Sequence, residues 1–324
     1  MRQTPSVTDV RRTSAIAAVL VATAIWSFGG VLAKAAGTTG IVTTFWRAWM
    51  ATILLGAIAV ARQSLPTAAE LRRSLLAGVL FGTNLCLFFS ALESISIASA
   101  LVIASLTPVG MLPIAVLMLG ERLTPAKVGC ALVAVGAAVV AVLAAPQATA
   151  GQRSTALGFV LVSLAIVVWL AYLTAAKQVR KSVRTIPFMF SITATTAVIM
   201  TPAMLLRGNG GTPSESTGWL WLLLLAIGPG ISGHGLVVWA QDKIDASVSA
   251  VLMQAEPVGA TIAAYFLLHE QVSLVQALAM AVVVAALCLL MLREARAVNA
   301  PPSPRRSGWP RPSGTRHRRC TGNT

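Results

Sequence analysis

Charge is scarce in this chain of 324 residues: Asp, Glu, Lys and Arg make up 11% of it, and only 10 side chains are carboxylates. With 56% hydrophobic residues and a mean hydropathy of +0.78, it has too few polar groups to clothe a soluble globule of this length. Cysteine is sparse as well. Cys86, Cys130 and Cys288 sit in apolar runs and Cys320 near the last residue, too scattered for a disulfide framework. No CxxC or Cys/His cluster has zinc-site spacing, so neither a metal nor a redox cofactor is expected. The histidines are His234, His269 and His317. HExxH, GxSxG, paired aspartates and a phosphate loop are missing, which leaves an intramembrane enzyme as a remote alternative and makes a non-enzyme the expectation. Period-two alternation is missing too, which favours helices over a barrel.

What is present is a succession of apolar runs. A hydrocarbon core about 30 Å thick takes about 20 residues of helix, and ten runs approach that length: 14-34, 41-60, 72-92, 97-119, 126-145, 156-177, 186-206, 218-240, 246-268 and 273-292. The first starts behind Arg11 and Arg12 like a signal peptide, yet runs on to Lys34 without a cleavage motif and therefore reads as a spanning helix. The expected fold class is an all-α integral membrane protein of ten transmembrane helices.

The net charge of +15 would suit nucleic acid, but its placement argues against that partner. With the N-terminus inside, 21 basic residues fall on inner segments, and only Arg153 and Arg207 on outer ones. Cytoplasmic loops carry this bias, so both termini are expected in the cytoplasm of an inner (cell) membrane protein. The expected partners are the lipid bilayer and a small-molecule substrate. Residues 1-13 form a cytoplasmic segment, and 293-324, rich in Pro, Arg, Ser and Gly, a disordered basic tail able to touch anionic lipid.

The runs are written twice. Thr107-Pro108-Val109-Gly110 returns as Glu256-Pro257-Val258-Gly259, and Glu121 returns as Glu270, both at a step of 149. Trp26 and Lys34 return as Trp169 and Lys177 at a step of 143. The repeats are 14-145 and 156-292, joined by a loop at 146-155. Five helices is an odd number, so the second repeat enters from the opposite face, giving inverted topology.

Ionisable groups inside a bilayer are costly and so are functional candidates. Glu256, near the middle of its run, is expected either to bind a substrate amine or exchange a proton, or to bond groups freed by the Pro257 break. Arg47 either holds a carboxylate or braces helix ends. Pro108, Pro257, Gly230 and Gly233 mark helix breaks or hinges. Asn84 and His234 align at a step of 150 and are expected to line a cavity with Trp26, Trp169 and Tyr172. Trp46, Trp49, Trp219 and Trp221 suit an interfacial belt. Glu121 and Glu270 are expected to cap or brace the following turn, and Lys34 and Lys177 to reach the interface, all four structural.

Trp26 to Lys34 and its repeat, Phe45-Trp46-Arg47, and Pro-Val-Gly followed by Gly120-Glu121-Arg122-Leu123-Thr124 together resemble the EamA family of the drug/metabolite transporter superfamily, over about 1-292. The chain departs from that pattern in having His269 where the family usually has glycine, and in lacking a second-half arginine matching Arg47. The resemblance implies a metabolite transporter working by alternating access around a midplane cavity. An exporter of amino acids or related zwitterions is the expected function. A multidrug exporter of lipophilic cations is the alternative, weakened because the first helix of each half carries no acidic residue.

Overall fold

The computed structural model describes residues 7-95, 97-143, 155-206, 211-268 and 273-298, and among these the regular structure is helical. The first repeat contributes α1 (Val7–Trp26), α2 (Gly29–Ala35), α3 (Gly40–Ala61), α4 (Ala68–Ala91), α5 (Ile97–Ala104), α6 (Thr107–Leu117) and α7 (Pro125–Leu143). The second contributes α8 (Ala156–Val179), α9 (Thr185–Leu206), α10 (Thr217–Leu225), a π-helical segment (Ala226–Gly233), α11 (His234–Ala240), α12 (Ala246–Leu252), α13 (Ala255–Leu268) and α14 (Leu274–Val298). Among the described residues six stretches are long and apolar enough to cross a membrane: Arg11–Ala35, Gly40–Ala61, Ala68–Ala91, Ala156–Val179, Thr185–Leu206 and Thr217–Ala240. Leu117 and Leu206 are 82% and 89% exposed, as lipid-facing side chains would be.

Helix α1 begins at Val7, within the expected segment 1-13, and α14 runs to Val298, a few residues into the expected tail. Arg293, Glu294 and Arg296 are good helix formers, so the backbone continues helical where the side chains turn polar. The remainder of the tail and Arg153, Arg207, His269 and Glu270 lie outside the described residues.

Four apolar runs are interrupted rather than continuous. Helix breaks fall at Ser27-Phe28, Ser105-Leu106 and Met253-Gln254, and the run at 218-240 widens into the π-helical segment around Pro229. Pro108 and Pro257 each stand in the first turn of the helix after a break. There their missing N–H is no loss, because first-turn donors have no intrahelical acceptor. The proline thus starts the second half-helix, and the interruption lies two or three residues before it. The breaks of the two repeats meet: Gln254 Nε2 donates to the Ser105 carbonyl at 2.9 Å. These two residues are themselves 149 positions apart, so the contact lies where the two repeats face each other.

The repeats interlock. Helix α4 packs on α8 and α9, and α7 on α14. Close approach of α4 to α9 depends on Gly78 and Gly82, where an added Cβ would come within 2.6 Å of Thr195 and 2.9 Å of Ile199. Small residues one turn apart are the usual means of bringing helix backbones together in lipid. Thr195 and Thr196 return their hydroxyls to carbonyls four residues back, so the polar atoms at this seam are satisfied.

Candidate functional site

The interruptions surround a cavity enclosing about 1120 Å³ of non-atom space, its opening included. Its wall draws on the α1 break (Trp26, Ser27), α3 (Arg47), the later half of α4 (Phe81, Asn84, Phe88, Phe89) and α5 (Ile97, Leu101). The second repeat supplies α8 (Ile166, Trp169), the π-helical turn with His234, and the break before α13 (Met253, Gln254, Glu256, Pro257). Segments carrying broken helices therefore line it from both repeats. Two hydrogen bonds tie these breaks together: Trp26 Nε1 donates to the Pro229 carbonyl at 3.0 Å, and Ser27 Oγ to the Glu256 carbonyl at 3.2 Å.

Arg47 and Glu256 place a guanidinium and a carboxyl on the lining of one cavity. The Arg47 guanidinium lies 5.6 Å from the Phe89 ring centroid and against Gly230, where an added Cβ would stand 3.3 Å from its Nε. Among the described residues neither the Arg47 guanidinium nor the Glu256 carboxylate has an ion-pair or hydrogen-bond partner. Both residues also line the cavity. A charge held in low dielectric without a partner is costly, and the open cavity is where each can meet water or a solute.

The aromatic side chains form a continuous cluster. His234 lies near-parallel to Phe81 at 4.5 Å and to Trp26 at 5.9 Å. Trp169 meets Trp26 edge-on at 5.8 Å. Tyr172 does not reach the cavity wall; it stands fully buried behind it and hydrogen-bonds His234 Nε2 through its hydroxyl at 2.6 Å. Asn84 lines the cavity while its amide nitrogen donates to the Ala165 carbonyl at 2.9 Å. Among the described residues no three His, Cys, Asp or Glu side chains converge to form a chelating set.

Of the expected hinge residues, Pro257 is on the wall and Pro108 is not, though its neighbour Thr107 is. Gly233 leaves room for Trp26, whose ring atoms would lie 2.8 Å from an added Cβ. At the edges, Trp46 stacks edge-on with Trp219 at 4.8 Å. Lys34 stands exposed in the last turn of α2.

Glu121 and Lys177 differ from expectation. Glu121 caps no neighbouring turn in its own repeat; it accepts from Ala246 N at 2.6 Å, Ser247 N at 3.2 Å and Ser247 Oγ at 2.8 Å, at the start of α12 in the second repeat. Lys177 does not run out to the interface. It pairs with Glu121 at 3.0 Å and donates to the Ile244 carbonyl at 2.7 Å. The physical reason is that α6 ends beside α12, whose first-turn N–H groups have no intrahelical acceptor and take the carboxylate instead. Beside it Lys127 pairs with Asp245, and Arg180 with Asp242 at 3.8 Å.

Sequence reasoning missed Ser27, Phe81, Ser105 and Gln254. Ser105 and Gln254 carried a usable signal, since their separation equals that of the two prolines. Phe81 carried none, because a phenylalanine in an apolar run is the same letter whether it faces lipid or a cavity.

Three comparisons bear on identity. The model of the EamA-like transporter family matches twice, at residues 13–143 and 156–292. A solved structure described as "Crystal structure of protein" aligns over 88% of this chain and 99% of its own, with 24% identity and a TM-score of 0.73, which speaks for the fold. No curated protein matches the chain. The family matches cover both repeats, including every residue of the cavity wall, so this multi-pass membrane protein belongs to the EamA-like transporter family.

Proposed function

We propose that this transporter moves a small zwitterion, an amino acid or a related compound, out of the cell by alternating access. The observation that carries the reading is the presence of a guanidinium, Arg47, and a carboxyl, Glu256, on one aromatic-walled cavity, neither with an ion-pair or hydrogen-bond partner among the described residues. A solute bearing a carboxylate and an ammonium replaces the water lost by each group with a charge-assisted hydrogen bond. A singly charged solute leaves one of them uncompensated. Arg47 takes the carboxylate, Glu256 the amine, and Trp26, Phe81, Trp169 and His234 the body of the molecule, with Tyr172 holding the imidazole from behind.

In this reading each interrupted run is one span, which gives ten. The basic residues put both termini in the cytoplasm of the inner membrane, with the two five-helix repeats at 14-145 and 156-292 in opposite orientation. The breaks at Ser105-Leu106 and Met253-Gln254 are the points where half-helices pivot. Lipophilic-cation export is the second reading, favoured by the aromatic rings and Glu256 and opposed by Arg47 on the same wall. Uptake of labelled amino acids and of cationic dyes into proteoliposomes separates them. Zwitterion transport that falls in both Arg47→Gln and Glu256→Gln supports the first, and dye transport that survives Arg47→Gln supports the second.

A further inference from the structure

The large cavity occupies only one half of the bundle. On α4 its wall begins at Phe81, and on α8 it ends at Trp169, although those helices span Ala68–Ala91 and Ala156–Val179. Beyond Trp169, toward the other end of α8, lies a second, much smaller cavity enclosing about 240 Å³ of non-atom space, its opening included, lined by Leu173, Lys177, Gln241, Ile244, Ala246 and Ser249. Gln241 and Ser249 are 5% and 4% exposed. Their Gln241 Oε1 and Ser249 Oγ atoms are buried without a hydrogen-bond partner among the described residues. Buried polar atoms are paired in all but a few instances, so these two stand out as groups without a role in the conformation observed.

Lys177 in that wall is covered by Glu121, whose own side chain is only 5% exposed. Glu121 belongs to the first repeat, and the partners of its carboxylate, Lys177, Ala246 and Ser247, belong to the second. Lys127 to Asp245 makes the same crossing. A tilt of one repeat against the other thus breaks these contacts together. An ionic seal suits a part that must open. Its charges regain hydration when separated, whereas an apolar seal exposes hydrocarbon to water with nothing in return.

We propose that the small cavity is the closed continuation of the transport route, that Gln241 and Ser249 line that route for a polar solute once it opens, and that Glu121 with Lys177 is its gate. This rests on the transport reading above, under which the gated end is the cytoplasmic one.

The test uses the full chain with its native cysteines in oriented membrane vesicles, a membrane-impermeant maleimide added from one side at a time, and peptide mass spectrometry. The reporters are Ser249→Cys in the small cavity and Ala104→Cys on the wall of the large one. With Glu121 intact, position 249 is expected to stay unlabelled from both sides, and position 104 to react from the side opposite the gate. In Glu121→Gln or Lys177→Gln, labelling at 249 from the gated side should rise at least tenfold while labelling at 104 slows. Glu121→Asp, which keeps the carboxylate, should fall between. Unchanged labelling at 249 in both variants overturns the gate, and so does equal labelling from both sides, which reports a loosened fold. Because labelling needs no substrate, a protein that labels as expected yet moves no solute refutes the transport reading alone. Transport that persists in Glu121→Gln with labelling unchanged refutes the gate alone.

Discussion

Gly40 is where helix packing and the cavity wall depend on one hydrogen atom. It opens α3, and its N–H donates to Glu93 Oε1 at 2.6 Å. A Cβ added there would lie 2.2 Å from the Ser90 backbone nitrogen and 2.6 Å from the Phe89 carbonyl carbon. Ordinary contact begins at 3.4 Å, so Gly40→Ala forces the start of α3 and the end of α4 apart by the difference from 2.2 Å, about 1.2 Å. The obstacle is backbone and cannot be relieved by a rotamer change. The cost therefore belongs at the upper end of overpacking penalties, about 3 kcal/mol. At about 2 °C per kcal/mol for a chain of this size, the detergent-solubilised protein should melt about 6 °C lower. The shift also carries Arg47, two turns along α3, away from Phe89 on α4, so transport should fall along with stability. Gly129→Ala in α7 is the control. Nothing lies within 4 Å of a Cβ there, and exchanging glycine for alanine in a helix gains about 0.5–1 kcal/mol. A Gly40→Ala protein melting within about 1 °C of the parent would refute the close approach on which this reasoning stands.

Three further outcomes follow from the cavity wall. Tyr172→Phe removes the partner of a His234 that is 1% exposed, at a cost of about 1–3 kcal/mol for the unpaired imidazole nitrogen; the double variant with His234→Phe should be less destabilised than the two single losses added together, as read in a thermal-melt double-mutant cycle. Gln254→Ala breaks the bond to the Ser105 carbonyl where the breaks of the two repeats meet. It should cost about 1 kcal/mol in melting stability and change the transport rate more than the apparent affinity, since Gln254 bonds the other break and not the charges that hold the solute. Gly233→Ala presses on the Trp26 indole, 2.8 Å from the added carbon, and should weaken substrate affinity with little loss of expression; an unchanged affinity would place Trp26 outside the binding wall.

The helical, two-repeat character of the fold was legible because its strongest determinants are compositional. Run length marks helices without reference to their neighbours, and the repeated Pro-Val-Gly marks the two halves. The breaks were partly legible. Prolines and glycines announce Pro108, Pro257 and the π-helical turn, but the break at Ser27-Phe28 has only a following Gly29-Gly30 to signal it. The candidate wall was legible where a polar residue stood inside an apolar run, as with Arg47, Asn84, His234 and Glu256. It was illegible at Phe81 and Phe89, because facing a cavity and facing lipid call for the same residue type. Tyr172 was placed on the wall because position along a helix does not say how deep a ring sits. The role of Glu121 depends on which helix end lies beside it in space, and local sequence contains nothing of that neighbour.

The central claim is that opposite charges on one cavity move a zwitterion. Its most direct test compares solutes in the medium and inside cells producing the parent protein, Arg47→Gln, Glu256→Gln or none. Loss of one charge-assisted contact, about 1.5–3 kcal/mol, corresponds to about 10-fold to 100-fold weaker transport. The account predicts an amino-acid-like zwitterion enriched in the medium with the parent protein alone, and its enrichment reduced at least 10-fold in each variant. Enrichment of the same solute by the variants and the parent alike would contradict it, as would a parent protein that alters no zwitterion.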